Sequence, residues 1–140
     1  MLYDNNNHIV KLCAGGMALE GQGKNDEALK LFQQAWDESA NDLEKFTSAH
    51  YLARHQKSTE KKLHWDTLAL DFALKINDEK IKSAYPSLYL NIGKCYEDLA
   101  DYANARKHYQ LADSFTSHLD EDGYSQMIKK GIQAGIERTL

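Results

Sequence analysis

Proline is nearly missing from this chain. Pro86 is the single one in 140 residues, and only eight glycines accompany it. So few turn-formers exclude an all-β fold, with its many tight turns, and a disordered chain, which enriches proline. Cysteine is equally sparse. Cys13 and Cys95 stand far apart in segments that read as helix, so they frame no disulfide-stapled scaffold. They are expected as reduced thiols in a cytoplasmic protein. No run approaches the roughly 20 apolar residues that cross a bilayer. The opening MLYDNNNH has neither a basic segment nor an apolar core and does not read as a secretory signal. An excess of positive charge is lacking too: the net charge is −4 with both signs mixed. Binding that gains from counterion release onto nucleic acid needs the opposite bias. Neither a membrane nor a nucleic acid is expected as a partner.

What the chain does have is helix. Leucine, alanine, lysine, aspartate and glutamate dominate, and β-branched runs are absent over long windows. Asn5 to Asn7 precede a periodic apolar run, Ile9, Leu12, Gly16 and Leu19, which the glycines at 21 and 23 stop. Asn25 is expected to cap the second helix, with Asp26 and Glu27 suited to its N-terminal dipole. Asn41 and Glu44 read as a capping box for the third. Ser58 or Thr59 caps a fourth that runs to about Ile76. Residues 78–84 suit either a short extra turn or a kinked extension of the next helix, which starts near Pro86, since proline fits a first turn, and ends at Ala100. Asp101 caps a helix from Tyr102 to Phe115, and a last amphipathic helix runs from Tyr124 to about Arg138. The count is seven helices and no strand.

The pattern repeats. Leu12, Gly16, Leu19, Ala28, Phe32 and Ala35 each have a counterpart 77 residues later: Tyr89, Gly93, Tyr96, Ala105, Tyr109 and Ala112. Large matches large and small matches small. Antiparallel helices approach closely only where glycine or alanine removes bulk, and aromatics then fill the space between pairs. The stretch YLNIGKCYEDLADYANARKHYQLA, Tyr89 to Ala112, is the best instance. It resembles the tetratricopeptide repeat, a helix–turn–helix unit of about 34 residues. The resemblance implies an all-α, right-handed superhelix of antiparallel helix pairs over residues 1–140 as one domain. Repeats would lie at about 8–40, 42–76 and 86–116, with a capping helix at 124–138, where Gly131 and Gly135 permit close packing. The middle repeat departs from the pattern. A shift of 34 puts Phe46, Ala49, His50 and Ala53 on its first helix and Lys62, Asp66 and Ala69 on its second. A shift of 33 instead brings Ala49, Leu52, Trp65 and Leu68 into place.

The same resemblance implies that the first helices line a concave groove. Its positions fall on Val10, Cys13, Met17 and Glu20, then Thr47, Tyr51, Arg54 and His55, then Leu90, Asn91, Lys94 and Glu97. The candidate ligand-binding residues are Met17, Thr47, Tyr51, Arg54, His55, Leu90, Asn91 and Lys94. Asn91 matches the asparagine with which relatives hold a peptide backbone or terminal carboxylate, and Lys94 sits where a clamp residue occurs. The full carboxylate clamp is not present, because the first repeat has Cys13 and Met17 at its positions. The expected partner is a protein or peptide segment with an acidic group facing Arg54, His55 and Lys94.

Catalysis finds little support. The stretch SAHYLARHQ, Ser48 to Gln56, is dense in polar groups, but His50 and His55 project about 140° apart on one helix and cannot share an ion. Cys13 and Cys95 sit in no nucleophile motif, and the glycines near residue 15 follow no strand, as a nucleotide loop would require. The chain reads as a non-catalytic interaction module with no cofactor and no metal. Structural self-association into a homodimer is the second reading, and an enzyme or enzyme subunit the third.

Overall fold

The computed structural model describes residues 2–140 and is all-helical, with no strand among the described residues. Seven α-helices follow one another: α1 His8–Gly21, α2 Asn25–Glu38, α3 Asp42–Arg54, α4 Thr59–Leu74, α5 Tyr85–Asp98, α6 Tyr102–Ser114 and α7 Gly123–Arg138. Short 3₁₀ turns at Glu79–Ala84 and Thr116–His118 join them. Most starts follow local chemistry. The Asn7 side chain accepts from the amides of Ile9 and Val10, Ser58 from Lys61, and Asp122 from Ser125. The capping box holds: Asn41 accepts from the Glu44 amide at 2.9 Å, while Glu44 reaches back to the Ala40 amide at 2.8 Å. Asn25 does not cap α2. It is the first helical residue, and Lys24 precedes it without a side-chain bond. Segment 77–86 resolves into the 3₁₀ turn, which Asp78 opens and whose Ile81 is buried, and Pro86 is the second residue of α5.

The chain divides into two compact units, the first ending at Asn77 and the second beginning at Asp78. In the first, α1 packs on α2, α3 on α4, and α2 on α3. Phe32 is fully buried and lies so close over Gly16 that a Cβ there would overlap its ring. Ile9, Cys13, Ala28, Ala35 and Leu52 complete this core. Behind it, Trp36 meets Trp65 edge to face at 5.0 Å and Phe72 at 5.9 Å, with the Lys45 ammonium 4.1 Å from the Trp36 ring. The middle repeat keeps close approach by other means. Ala49 and Ala53 of α3 and Ala69 and Ala73 of α4 are buried, and Asp66 and Leu70 are buried too, while Lys62 is exposed. Alanine on both helices replaces the glycine-on-aromatic contact, so no shift of 33 or 34 reproduces the full motif.

In the second unit α5 packs on α6, and α7 lies against both. Tyr109 is the pivot. It has no exposed surface, and a Cβ on either Gly93 of α5 or Gly135 of α7 would come within 2.7 Å of its ring. Gly131 of α7 faces Leu90. At the other end Phe115 stacks on Tyr89 and meets Tyr85 edge to face.

The turns inside the two matching hairpins are alike in hydrogen bonding. Lys24 N bonds Leu19 O and Gly23 N bonds Glu20 O; 77 residues later Asp101 N bonds Tyr96 O and Ala100 N bonds Glu97 O. Both turns need a left-handed residue, met by Gly23 at φ 75° and by Ala100 at φ 61°. Alanine carries a steric cost of about 1 kcal/mol in that conformation that glycine escapes. Two outcomes are expected in urea unfolding followed by circular dichroism. Ala100→Gly stabilises the chain by about 0.5–1 kcal/mol. Gly93→Ala destabilises it by roughly 1–3 kcal/mol, the range for overpacking, whereas Gly21→Ala, with open space around it, is neutral or mildly stabilising.

Candidate functional site

The α1–α3 face gathers most of the polar chemistry of the first unit. Helix packing brings Glu20, near the end of α1, to the last turn of α3. There its two carboxylate oxygens are divided: Arg54 Nη2 lies 2.6 Å from one and His55 Nε2 2.7 Å from the other. The Arg54 guanidinium also covers the Tyr51 ring at 4.6 Å. Tyr51 in turn stacks on Phe32, 4.9 Å between centroids and nearly parallel, and its hydroxyl reaches Met17 Sδ at 3.1 Å. His55 stacks on Phe32 as well, at 5.5 Å. Met17, Tyr51, Arg54 and His55 are therefore one cluster, held by a buried ring below and a carboxylate at the side.

The other expected positions in this unit are more enclosed. Thr47 is 8% exposed, and its hydroxyl bonds Leu43 O at 2.7 Å and the Tyr3 hydroxyl at 3.2 Å. Cys13 is buried, which pushes its thiol up to about 11. His50 stands apart from His55. Its ring lies beside Phe46 and Tyr51, its Nδ1 is buried without a partner, and burial followed by the nearby Arg54 lowers its pKa to about 4. It is a neutral ring at pH 7.

The second unit presents a separate patch on α5. Leu90 is 3% exposed and turned against Gly131, so it faces α7 rather than solvent. Asn91 is half-buried and Lys94 exposed. Next to Lys94, Glu97 accepts from Arg138 at 2.8 and 3.1 Å and from the Tyr109 hydroxyl at 2.7 Å. These bonds, Arg138 first, hold the Glu97 carboxyl below the usual glutamate value of 4.5, against the opposing effect of burial. Burial and then Glu97 push the Tyr109 phenol upward. An open depression is lined by Lys94, Glu97, Asp98, Tyr109 and Arg138.

The two patches share a device. Glu20 and Glu97 are 77 residues apart, one at the end of each matching first helix, and each takes an arginine from the helix packed beside it: Arg54 from α3, Arg138 from α7. Their spacing equals the repeat offset and was visible in the sequence, yet a groove position suggests a ligand contact rather than an internal ion pair. Arg138 and Tyr3 carried no such signal, because neither lies in a repeat. No three histidine, cysteine, aspartate or glutamate side chains converge as a metal site among the described residues, and no helix is long and apolar enough to cross a membrane.

Residues 86–116 match the family model described as a tetratricopeptide repeat. Comparison with curated proteins and with solved structures gives no match.

Glu97 makes the second unit sensitive to acid. Its carboxylate is easier to keep ionised folded than unfolded, so its contribution is complete above pH 4.5 and is lost as pH falls through the lower folded value. Glu97→Gln should lower α7 stability at pH 7 by about 0.5–1 kcal/mol, the range for a partly exposed pair. The gap between variant and parent should narrow progressively as pH falls below 4.5. Amide hydrogen exchange of α7 followed from pH 7 downward checks this.

Proposed function

Because α5 and α6 form a tetratricopeptide repeat, a unit that typically serves protein–protein interaction, we propose that the chain is a non-catalytic protein-binding scaffold. The observation that carries this reading is the Met17–Tyr51–Arg54–His55 cluster on the α1–α3 face. Packing has already fixed these side chains, so a flexible partner segment meets a rigid surface and the ordering cost on this side is small. Tyrosine and arginine are also the residue types that most often dominate binding energy. Arg54 spends one N–H on Glu20, and a guanidinium has five. The remaining donors suit an acidic group of the partner, and Lys94 with Asn91 offers a second such point on α5. A cytoplasmic location is part of the proposal.

Self-association is the alternative. In its favour stand Tyr124 and Met127 of α7, 57% and 59% exposed, one helical turn apart. Sedimentation velocity over a hundredfold concentration range decides it: a dimer that Met127→Glu dissolves would support self-association, and a monomer throughout would remove it.

A random-peptide selection against the full chain tests the scaffold reading. Selected peptides should shift the amide resonances of Met17, Tyr51 and Arg54. Tyr51→Ala with Arg54→Ala should weaken them at least about tenfold, and Asn91→Ala with Lys94→Ala should weaken selected peptides that shift the amide resonances of α5 instead. Peptides indifferent to both pairs would remove the proposal.

A further inference from the structure

The segment before α1 is seated on the same face. Tyr3 is half-buried, and its hydroxyl bonds Thr47 Oγ1 at 3.2 Å. Cys13 and Tyr51 lie within electrostatic range of this phenol, which is uncharged at neutral pH. Thr47, Tyr51 and Cys13 are groove positions of two successive first helices, so Tyr3 lies where a ligand side chain would lie. Leu2, Tyr3 and Asp4 line a cavity of about 120 Å³ together with Val10, Leu43 and Thr47.

The two ends of the segment are held differently. Asp4 closes a turn through the amides of Asn6 and Asn7. Asn7 caps α1 and donates to Glu44 Oε2 at 2.9 Å, which fastens the turn to the start of α3. The hydrogen bond that holds Tyr3 is a single one between side chains. Rotation about the backbone bonds joining Tyr3 to Asp4 can lift Tyr3 away while the Asp4 turn and Asn7 keep both helix starts intact.

The geometry points to Leu2–Tyr3 as a displaceable occupant of the α1–α3 face, and to an extended partner segment bearing a tyrosine as the ligand that replaces it. This rests on the scaffold reading above and names its ligand. The seat holds no cation: Thr47 is uncharged, the buried Cys13 thiol stays protonated at neutral pH, and the charged side chains lining the adjoining cavity are the carboxylates of Asp4 and Glu44. A phenol satisfies it, and a carboxylate would be desolvated there without a counter-charge. Arg54 stands seven residues further along α3, about 10 Å on a helix, or roughly three residues of extended chain. The chain runs from Thr47 toward Glu44 as it passes from Tyr3 to Asn7, so residues preceding the tyrosine point toward Arg54. The partner sequence is therefore an acidic residue, two spacers and a tyrosine.

The tethered tyrosine competes as an intramolecular ligand. If it is seated about nine-tenths of the time, a partner binds roughly tenfold more weakly than to an open face. The probe is an acetylated Glu-Ala-Leu-Tyr-Asp peptide titrated into the full chain to millimolar concentration, with amide shifts of Thr47, Tyr51 and Arg54 as readout. Tyr3→Ala should bind it saturably and about tenfold more tightly than the parent, and a peptide with alanine for tyrosine should lose that binding. Tyr3→Phe, which keeps the ring and drops one hydroxyl, should fall between and serves if Tyr3→Ala fails to fold. Iodoacetamide labelling of Cys13, located by peptide mapping, should quicken severalfold in Tyr3→Ala.

Equal peptide binding by parent and variants, or no saturable shift, overturns the inference. Unchanged Cys13 labelling in a folded Tyr3→Ala also overturns it. Selected peptides that use this face but ignore Tyr3 would overturn it and leave the scaffold reading standing. Peptides that bind elsewhere on the chain and are indifferent to Tyr51, Arg54, Asn91 and Lys94 would remove the scaffold reading and this inference with it, whatever the Cys13 labelling.

Discussion

A glycine facing an aromatic ring sets the spacing of helices on which the rest depends. Phe32 over Gly16 in one unit and Tyr109 over Gly93 in the other each fill a space that a single Cβ would take. The consequences run outward from those rings. Phe32 becomes a flat floor on which Tyr51 and His55 stack, which fixes the direction of α3 against α1. Tyr109 is closed on its second side by Gly135, which draws α7 down onto the hairpin. The apolar contact thus decides where the polar side chains can meet. Dispersion over so many atoms outweighs the individual surface bonds.

The carboxylates of Glu20 and Glu97 then fasten what the rings have placed. Each stands at the edge of a closely packed pair and takes an arginine from the next helix. Partly exposed pairs of this kind add little to stability, but they fix side-chain direction. In the first unit the result is a guanidinium lying flat on a tyrosine ring. In the second it is a tyrosine hydroxyl drawn to a carboxylate. The same carboxylate that orients Arg54 also offsets its charge, so an acidic partner meets a weaker field there than the arginine alone suggests.

Much of the architecture was legible. Size alternation at an offset of 77 marks two hairpins because the constraint that produces it, helix approach, acts on residue volume. Caps at Asn41, Ser58 and Asp101 were legible for the same reason: they are local. Asn25 misled because an asparagine one position inside a helix looks like one at its edge. The middle repeat resisted because small residues on both helices satisfy the same spacing without the motif. Of the groove positions that the family resemblance implied, Tyr51, Arg54 and His55 come together in one cluster, while Thr47 and Leu90 are enclosed by neighbours that spacing along one helix does not reveal. Tyr3 was invisible because its role depends on where a non-repeating segment folds back.

The edge-to-face pair of Trp36 and Trp65 has a practical side. These are the two tryptophans of the chain, and both belong to the unit that ends at Asn77. Fluorescence excited in the indole band therefore reports one unit alone, while helical circular dichroism reports both. Divergence between the two signals along a denaturation curve would show whether each unit unfolds by itself, with no label and no substitution.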